Sequence, residues 1–133
     1  MRKVVVTGIG AITPLGNDVK TTWMRLLKGD SGIDRIQSFD TSAYTVRIAG
    51  AVKDFHPEER IPPKSAKRLD RCVQFALWSA MEAVEDAGID FTKYDPDRIG
   101  VIIGSGIGGL STWEAEHTKF LNQGPGRVSP FLI

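Results

Sequence analysis

The sequence predicts an α/β fold, and three observations support this. Two β-branched runs, Lys3–Thr7 and Val101–Ile103, each stop at glycine, as strands of a buried sheet often do. Apolar residues with helical spacing follow each run. The chain has 133 residues, 41% of them apolar and 25% charged, which is the composition of a globular protein with a core.

Charge and cysteine usage exclude several classes of protein. The formal net charge of +1 provides no bulk attraction to nucleic acid or to a membrane surface. The apolar run near the start is too short for a signal peptide or a membrane span. Cys72 is the only cysteine, so no internal disulfide can form, and no cysteine or histidine spacing suggests a metal site. A reducing, cytoplasmic location is expected.

The first helix is predicted after the turn chemistry of residues 13–18. Asn17 or Asp18 is the expected N-cap, and Gly29 ends the helix. Its apolar side is formed by Val19, Trp23, Leu26 and Leu27.

A loop is expected over residues 30–45, a short strand over Val46–Val52 and an irregular segment over Asp54–Pro63. Helical spacing then continues from Lys64 to Ala87, with Gly88 as the residue after the helix. The apolar stripe of this predicted helix comprises Leu69, Val73, Ala76, Ala80, Val84 and Ala87.

The last part of the chain contains a predicted strand at Val101–Ile103 and a short helix through Trp113, Ala115 and Phe120. A turn follows at Gly124–Gly126. The apolar segment Pro130–Ile133 has no polar stop, which suggests a sequence cut as it enters another buried element.

Charges on the predicted helix 64–87 are arranged against its macrodipole. Basic residues fall at i, i+3, i+4 and i+7 in its first turns, and acidic residues occupy its last turns. A charge run is usually a solvated face, but a run arranged against its own helix leaves two alternatives open: a solvated surface and a surface that binds an acidic partner. The residues are Lys64, Lys67, Arg68 and Arg71 at the start, and Glu82, Glu85 and Asp86 at the end.

The glycines of residues 104–109 match G-x-G-x-x-G between a predicted strand and a predicted helix. A dinucleotide site also needs an acidic residue about 20 positions further on, and residues 122–130 contain none. A dinucleotide-binding domain is therefore disfavoured. A tight turn that lines a pocket fits these glycines better.

Two other features are interpreted as structural. Cys72 lies inside the predicted helix, about two turns from its start, so a buried structural cysteine is favoured over a nucleophile. Glu114 and His117 form a single E-x-x-H pair, whereas a di-iron site needs two such pairs and further glutamates. His117 is expected at a surface or an interface, and no metal is expected.

Taken together, the motifs resemble the amino-terminal part of a β-ketoacyl-acyl carrier protein synthase, and they look more like type II than type I. The similarity extends essentially from end to end of the chain. The matching stretches are Val4–Gly10, Thr13–Asn17, Gly29–Ile33, Phe39–Ser42, the helix ending at Glu85–Gly88, Gly104–Leu110 and Arg127–Phe131.

This resemblance implies a thiolase-like, layered α-β-α-β-α fold, of which residues 1–133 form an incomplete amino-terminal segment. It implies a homodimer that uses a cysteine nucleophile and two histidines, with no metal or organic cofactor. These catalytic residues would lie beyond position 133, so no catalytic residue is expected in this chain, and the chain alone should be inactive.

The resemblance also implies roles for individual residues. The basic positions would bind the acidic acyl carrier protein and its phosphopantetheine arm, with Arg71 departing from the family position. Ile107 would gate the acyl tunnel, and Leu132 stands where the type II family often has an aromatic residue. The carrier-binding residues are Lys64, Lys67, Arg68 and Arg71, and the acyl-pocket residues are Ile107, Gly108 and Leu132.

The parent protein is therefore expected to be an acyltransferase of fatty-acid synthesis. It would elongate carrier-bound acyl chains with malonyl-carrier protein in a decarboxylating condensation. Two alternatives remain: a carrier-binding or chain-length module without catalysis, and a polyketide ketosynthase.

Overall fold

The chain combines four α-helices with a small antiparallel sheet, within residues 3–132 that the computed structural model describes. Ile133, the last residue of the predicted apolar end, lies outside the described residues. The helices are α1 (Val19–Leu27), α2 (Pro63–Ala66), α3 (Arg71–Ala87) and α4 (Leu110–Gln123), and the strands are β1 (Ile33–Arg35) and β2 (Ile48–Gly50). Single 3₁₀ turns lie at Pro57–Glu59, Phe91–Lys93, Pro96–Arg98 and Pro125–Arg127.

The chain divides into two compact units. The first unit comprises the residues up to His56 together with Trp78–Asp90, and the second comprises Pro57–Leu77 together with the residues from Phe91 onward. The combination of helices and strands agrees with the predicted α/β class.

Helix α1 forms where the sequence predicts it. The Asp18 side chain accepts a hydrogen bond from the Thr21 backbone N–H at 2.7 Å, as an N-cap residue does. The chain leaves the helix through Gly29, whose φ of 75° is a left-handed conformation that favours glycine.

Two of the three predicted strands are wrong. Lys3–Thr7 and Val101–Ile103 are extended but belong to no sheet, and their side chains are exposed, with Val4 at 96% and Ile102 at 99%. A strand needs a hydrogen-bonded neighbour, and residues 3–132 place none beside either run.

The observed sheet joins a predicted strand to a segment that was expected to be loop. β2 lies within the predicted Val46–Val52, whereas β1 lies in the supposed loop over residues 30–45. The strands are antiparallel, with Asp34 opposite Ala49, and each is only three residues long. So short a strand offers too little alternation to be detected in the sequence.

In the first unit, the segment that contains Gly8 and Gly10 lies directly on the second half of α3. A Cβ on Gly10 would overlap the carbonyl oxygen of Ser79 and lie 2.8 Å from the Ala83 nitrogen. A Cβ on Gly8 would likewise overlap the Ala83 carbonyl oxygen. Only glycine allows the two backbones to approach this closely.

Acidic side chains of α3 bind the backbone of the same unit. Glu82 accepts the N–H of Val19 at 2.8 Å with one oxygen and that of Ala11 at 2.9 Å with the other. Asp86 accepts the N–H of Ile9 at 2.9 Å. These carboxylates are therefore explained by contacts within the chain, and they provide no evidence for an external partner.

The core of the first unit is built around Trp78. This residue is 7% exposed, packs edge-on against Phe55 with ring centroids 5.1 Å apart, and donates its indole N–H to the Asn17 carbonyl at 2.9 Å. The predicted apolar stripe is less covered, with Val73 and Val84 about 40% exposed. Trp78 lies outside that stripe, so periodicity alone missed the buried residue of α3.

Candidate functional site

The four cations of the predicted carrier-binding face do not share one helix. Lys64 lies in α2, Lys67 is its C-cap, Arg68 follows in the turn, and Arg71 begins α3. All four residues are exposed. The predicted continuous helix over residues 64–87 is therefore wrong, although the cations remain close together in sequence at the junction between two helices.

The side chains of Gln74 and Asp70 stabilise the break between α2 and α3. The Gln74 side chain donates to the carbonyl oxygens of Ala66 at 2.8 Å and Leu69 at 3.1 Å, which satisfies acceptors freed where α2 ends. The Asp70 carboxylate accepts the backbone N–H of Cys72 at 2.9 Å, as an N-cap side chain does. Apolar spacing continues across the break and hides it, and the one signal in the sequence is the N-cap residue type at position 70.

At the start of α3, the Asp70 carboxylate offsets the unfavourable position of the Arg71 cation relative to the helix macrodipole. Hydrogen bonds from the Thr112 hydroxyl and from the Cys72 backbone hold the pKa of Asp70 below its usual value. The carboxylate is therefore ionised at neutral pH and lies at the positive end of the helix, where it is stabilising. Together with the bonded carboxylates of Glu82 and Asp86, it overturns the dipole argument for an external partner.

Arg68 contacts a residue near the other end of the second unit. Its guanidinium carbon lies 4.7 Å from the centroid of the Phe131 ring, within the range of a cation–π contact. Arg71 makes a comparable contact with Phe75 at 4.9 Å, within α3. The contact of Arg68 with Phe131 was not predicted from the sequence, because the two residues are far apart along the chain.

A cavity of about 410 Å³ opens beside Arg68. Two of the three predicted acyl-pocket residues, Gly108 and Leu132, line it, whereas Ile107 does not and is 82% exposed. The lining residues are Arg68, Leu69, Asp70, Cys72, Val73, Gly108, Gly109, Thr112, Trp113, Phe131 and Leu132.

Residues 104–109, the glycine segment, pack with their last residues against the start of α3. A Cβ on Gly108 would lie 2.6 Å from the Ser105 Oγ and 2.9 Å from the Cys72 Sγ, so a larger residue at this position would force those side chains to shift. Gly109 precedes α4 with a left-handed φ of 75°. Gly108 and Gly109 thus lie in a turn that lines the cavity, whereas Gly104 and Gly106 do not line it.

Cys72 is the second residue of α3, not a residue two turns into a helix as predicted. A thiol at a helix N-terminus is usually acidified. Here a hydrogen bond to the Asp70 carboxylate, followed by burial, raises the pKa of the Cys72 thiol. The thiol is therefore protonated at neutral pH, which supports the structural interpretation on different grounds.

The E-x-x-H pair on α4 does not form a metal centre. His117 stacks on Trp113 with ring centroids 4.9 Å apart and planes at 11°. Glu116, which lies between the two residues of the pair in sequence, is buried. Its carboxylate accepts hydrogen bonds from the Lys119 ammonium at 2.5 Å and the Ser129 N–H at 2.6 Å. Within residues 3–132, no group of three His, Cys, Asp or Glu residues could hold a metal ion, and no helix is long and apolar enough to cross a membrane.

The chain is thus an α/β segment that presents cations beside a small cavity. It belongs to the β-ketoacyl synthase family: residues 1–133 match the model of the β-ketoacyl synthase, N-terminal domain. The predicted family is therefore confirmed.

Curated relatives are close in sequence. The 3-oxoacyl-[acyl-carrier-protein] synthase 2 of Staphylococcus aureus (strain COL) is 52% identical over 132 residues, which cover 99% of this chain and 32% of the relative. The protein of the same name from Vibrio harveyi is 43% identical with the same coverage. The chain thus spans about a third of the length of the relatives that it matches.

Solved structures share the fold. The ishigamide ketosynthase/chain length factor superposes with a TM-score of 0.76 at 29% identity, over 98% of this chain and 33% of that one. A type II PKS acyl-carrier protein in complex with its ketosynthase gives a TM-score of 0.78 at 24% identity, over 99% and 34%. The chain therefore has the fold of the corresponding part of a ketosynthase.

Proposed function

We propose that the protein containing this sequence is a condensing enzyme of fatty-acid synthesis. The malonyl group on one carrier protein would lose carbon dioxide, and the resulting enolate carbon would attack the acyl thioester held on the enzyme. A carbon–carbon bond forms, the enzyme thiol leaves, and a β-ketoacyl carrier protein is the product. The observation that carries this proposal is the 52% identity to a 3-oxoacyl-[acyl-carrier-protein] synthase 2 over nearly the whole chain.

The chemistry would be performed by residues outside this chain. The family resemblance implies a cysteine nucleophile and two histidines further along the sequence. The pKa of the Cys72 thiol is raised, first by its hydrogen bond to Asp70 and then by burial, and this supports a structural role for the thiol. The 133 residues would form the incomplete amino-terminal part of a layered, thiolase-like enzyme that is cytoplasmic and homodimeric.

The cations at the α2–α3 junction would bind the acidic carrier protein. Lys64 and Lys67 are exposed, and neither forms an ion pair with another residue between 3 and 132, so their charges are available to a partner. Arg68 is exposed but oriented by the Phe131 ring, which lowers the entropy lost when it binds an anion. Arg71 contributes less in this proposal, because its guanidinium rests on Phe75.

The acyl pocket would begin at the cavity behind Arg68. Gly108 and Leu132 line that cavity, which supports their assignment to the pocket. Ile107 would gate it from the exposed side of the glycine segment. A leucine at position 132, smaller than an aromatic side chain, would leave more room for the acyl chain.

A second candidate is a chain-length partner or a polyketide ketosynthase. It is favoured by the fold similarity to the ishigamide ketosynthase/chain length factor. A chain-length factor would share the carrier-facing surface but would not release carbon dioxide by itself. The identities of 52% and 43% to fatty-acid-type synthases make this the weaker candidate.

The test is a condensation assay with the full-length protein and with this chain alone. Supplied with acyl- and malonyl-carrier protein, the full-length protein should form β-ketoacyl-carrier protein and release one carbon dioxide per product. This chain alone should form none. A full-length protein that binds carrier protein without either product would support the chain-length partner, and product formation by this chain alone would contradict the proposed division of roles.

A further inference from the structure

One carboxylate in the second unit joins the starts of two helices. Asp70 Oδ2 accepts the hydroxyl of Thr112 at 2.5 Å, and Oδ1 accepts the N–H of Cys72 at 2.9 Å. Thr112 lies in the first turn of α4 and Cys72 in the first turn of α3. Hydrogen bonds to an ionised group are about twice as strong as neutral ones, so this pair is a strong link between segments 42 residues apart.

The same link holds the end of the glycine segment. Gly109, the residue before α4, lies beside Asp70, and a Cβ there would be in van der Waals contact with the carboxyl carbon at 4.0 Å. Gly108 packs on the Cys72 thiol, the next contact of Asp70. Ile107 immediately precedes these anchored residues and is itself exposed, so its position depends on how firmly they are held.

Asp70 also follows the carrier-binding turn. Arg68 stands two residues before it and extends over Phe131, and all three side chains line the cavity that Gly108 and Thr112 close from the other side. A movement of the turn on binding a partner would therefore be transmitted through Asp70 to the glycine segment by direct contacts.

We propose that Asp70 is a positioning residue which, through Thr112, fixes the glycine segment and thereby sets which acyl chains Ile107 admits. This inference rests on the proposed function, since it assigns Ile107 to the gate of an acyl pocket. It adds a residue pair, Asp70 and Thr112, that controls the gate without touching the substrate.

The test removes the hydroxyl with little change in shape. Thr112→Val should abolish the bond to Asp70, and Thr112→Ser should retain it. Thr118→Val is the matched control on the same helix, because the Thr118 hydroxyl bonds only the Glu114 carbonyl one turn back. In this chain, the backbone amides of Gly109 and Trp113, which bond the Cys72 thiol and the Gly109 carbonyl, should exchange hydrogen about tenfold faster in Thr112→Val, given the strength of a bond to a charged group.

In the full-length enzyme, Thr112→Val should change the ratio of kcat/KM between long and short acyl-carrier proteins several-fold. Thr112→Ser and Thr118→Val should leave that ratio unchanged. A purely structural role would lower activity toward all chain lengths equally, and that outcome would overturn the inference. So would unchanged amide exchange in Thr112→Val. If the wild-type protein shows no condensation, the proposed function fails, and the exchange result alone then decides whether Asp70 and Thr112 hold the glycine segment.

Discussion

The Glu82 carboxylate accepts the backbone N–H of Val19 at 2.8 Å, so a side chain from the second half of α3 satisfies the first N–H of α1. Its other oxygen accepts the N–H of Ala11. The half-buried Glu82 carboxylate thus fixes both the segment around Ala11 and the start of α1.

We predict that Glu82→Gln lowers the free energy of unfolding by about 2 kcal/mol, because an amide can accept at only one of the two N–H groups and carries no charge. The measurement is urea unfolding of the chain, followed by circular dichroism. Glu114→Gln, an exposed residue on α4, is the control and should change stability by less than about 0.5 kcal/mol. Equal effects of the two substitutions would contradict the assigned role of Glu82.

Gly10→Ala should destabilise the chain by about 1–3 kcal/mol, because the added methyl group would overlap the Ser79 carbonyl and force the segment away from α3. Gly100→Ala is the matched control, since nothing lies within 4 Å of a Cβ at that position. The same unfolding measurement applies. A Gly10→Ala chain as stable as Gly100→Ala would show that the segment does not lie on the helix as described.

The single thiol reports directly on Asp70. Because hydrogen bonding to Asp70 is the first cause of the raised pKa of Cys72, Asp70→Asn should lower that pKa and speed alkylation by iodoacetamide at neutral pH. The pH profile of the rate separates this from unfolding: a lower pKa moves the midpoint to lower pH, whereas greater exposure raises the plateau. Asp97→Asn, an exposed carboxylate of the same unit, should leave the midpoint where it is.

Local signals in the sequence were reliable where the chain itself satisfies them. Asp18, Gly29 and Gly88 bound their helices as predicted, because a cap and a left-handed glycine act over a few residues. The runs at Lys3–Thr7 and Val101–Ile103 were wrong, because a strand also depends on a neighbour that no local pattern specifies.

The site was only partly predictable for the same reason. The positions of Lys64, Lys67 and Arg68 can be read from the sequence, whereas the break between α2 and α3 is signalled only by the residue type of Asp70, since it depends on the side-chain bonds of Gln74 and Asp70. The contacts of Asp70 with Thr112 and of Arg68 with Phe131 join residues distant in the chain, and such pairs leave no periodic trace.

Calorimetric titration of the chain with acyl carrier protein at several salt concentrations tests the central claim most directly, namely that the α2–α3 junction binds an acidic carrier. Wild-type binding should weaken with salt, and the double substitution Lys67→Glu with Arg68→Glu should weaken it at least about tenfold. The double substitution Lys20→Glu with Lys28→Glu, the same charge change at two exposed lysines of the other unit, should have little effect. Binding that is insensitive to salt, or equally strong in the double variant and the wild type, would contradict the claim.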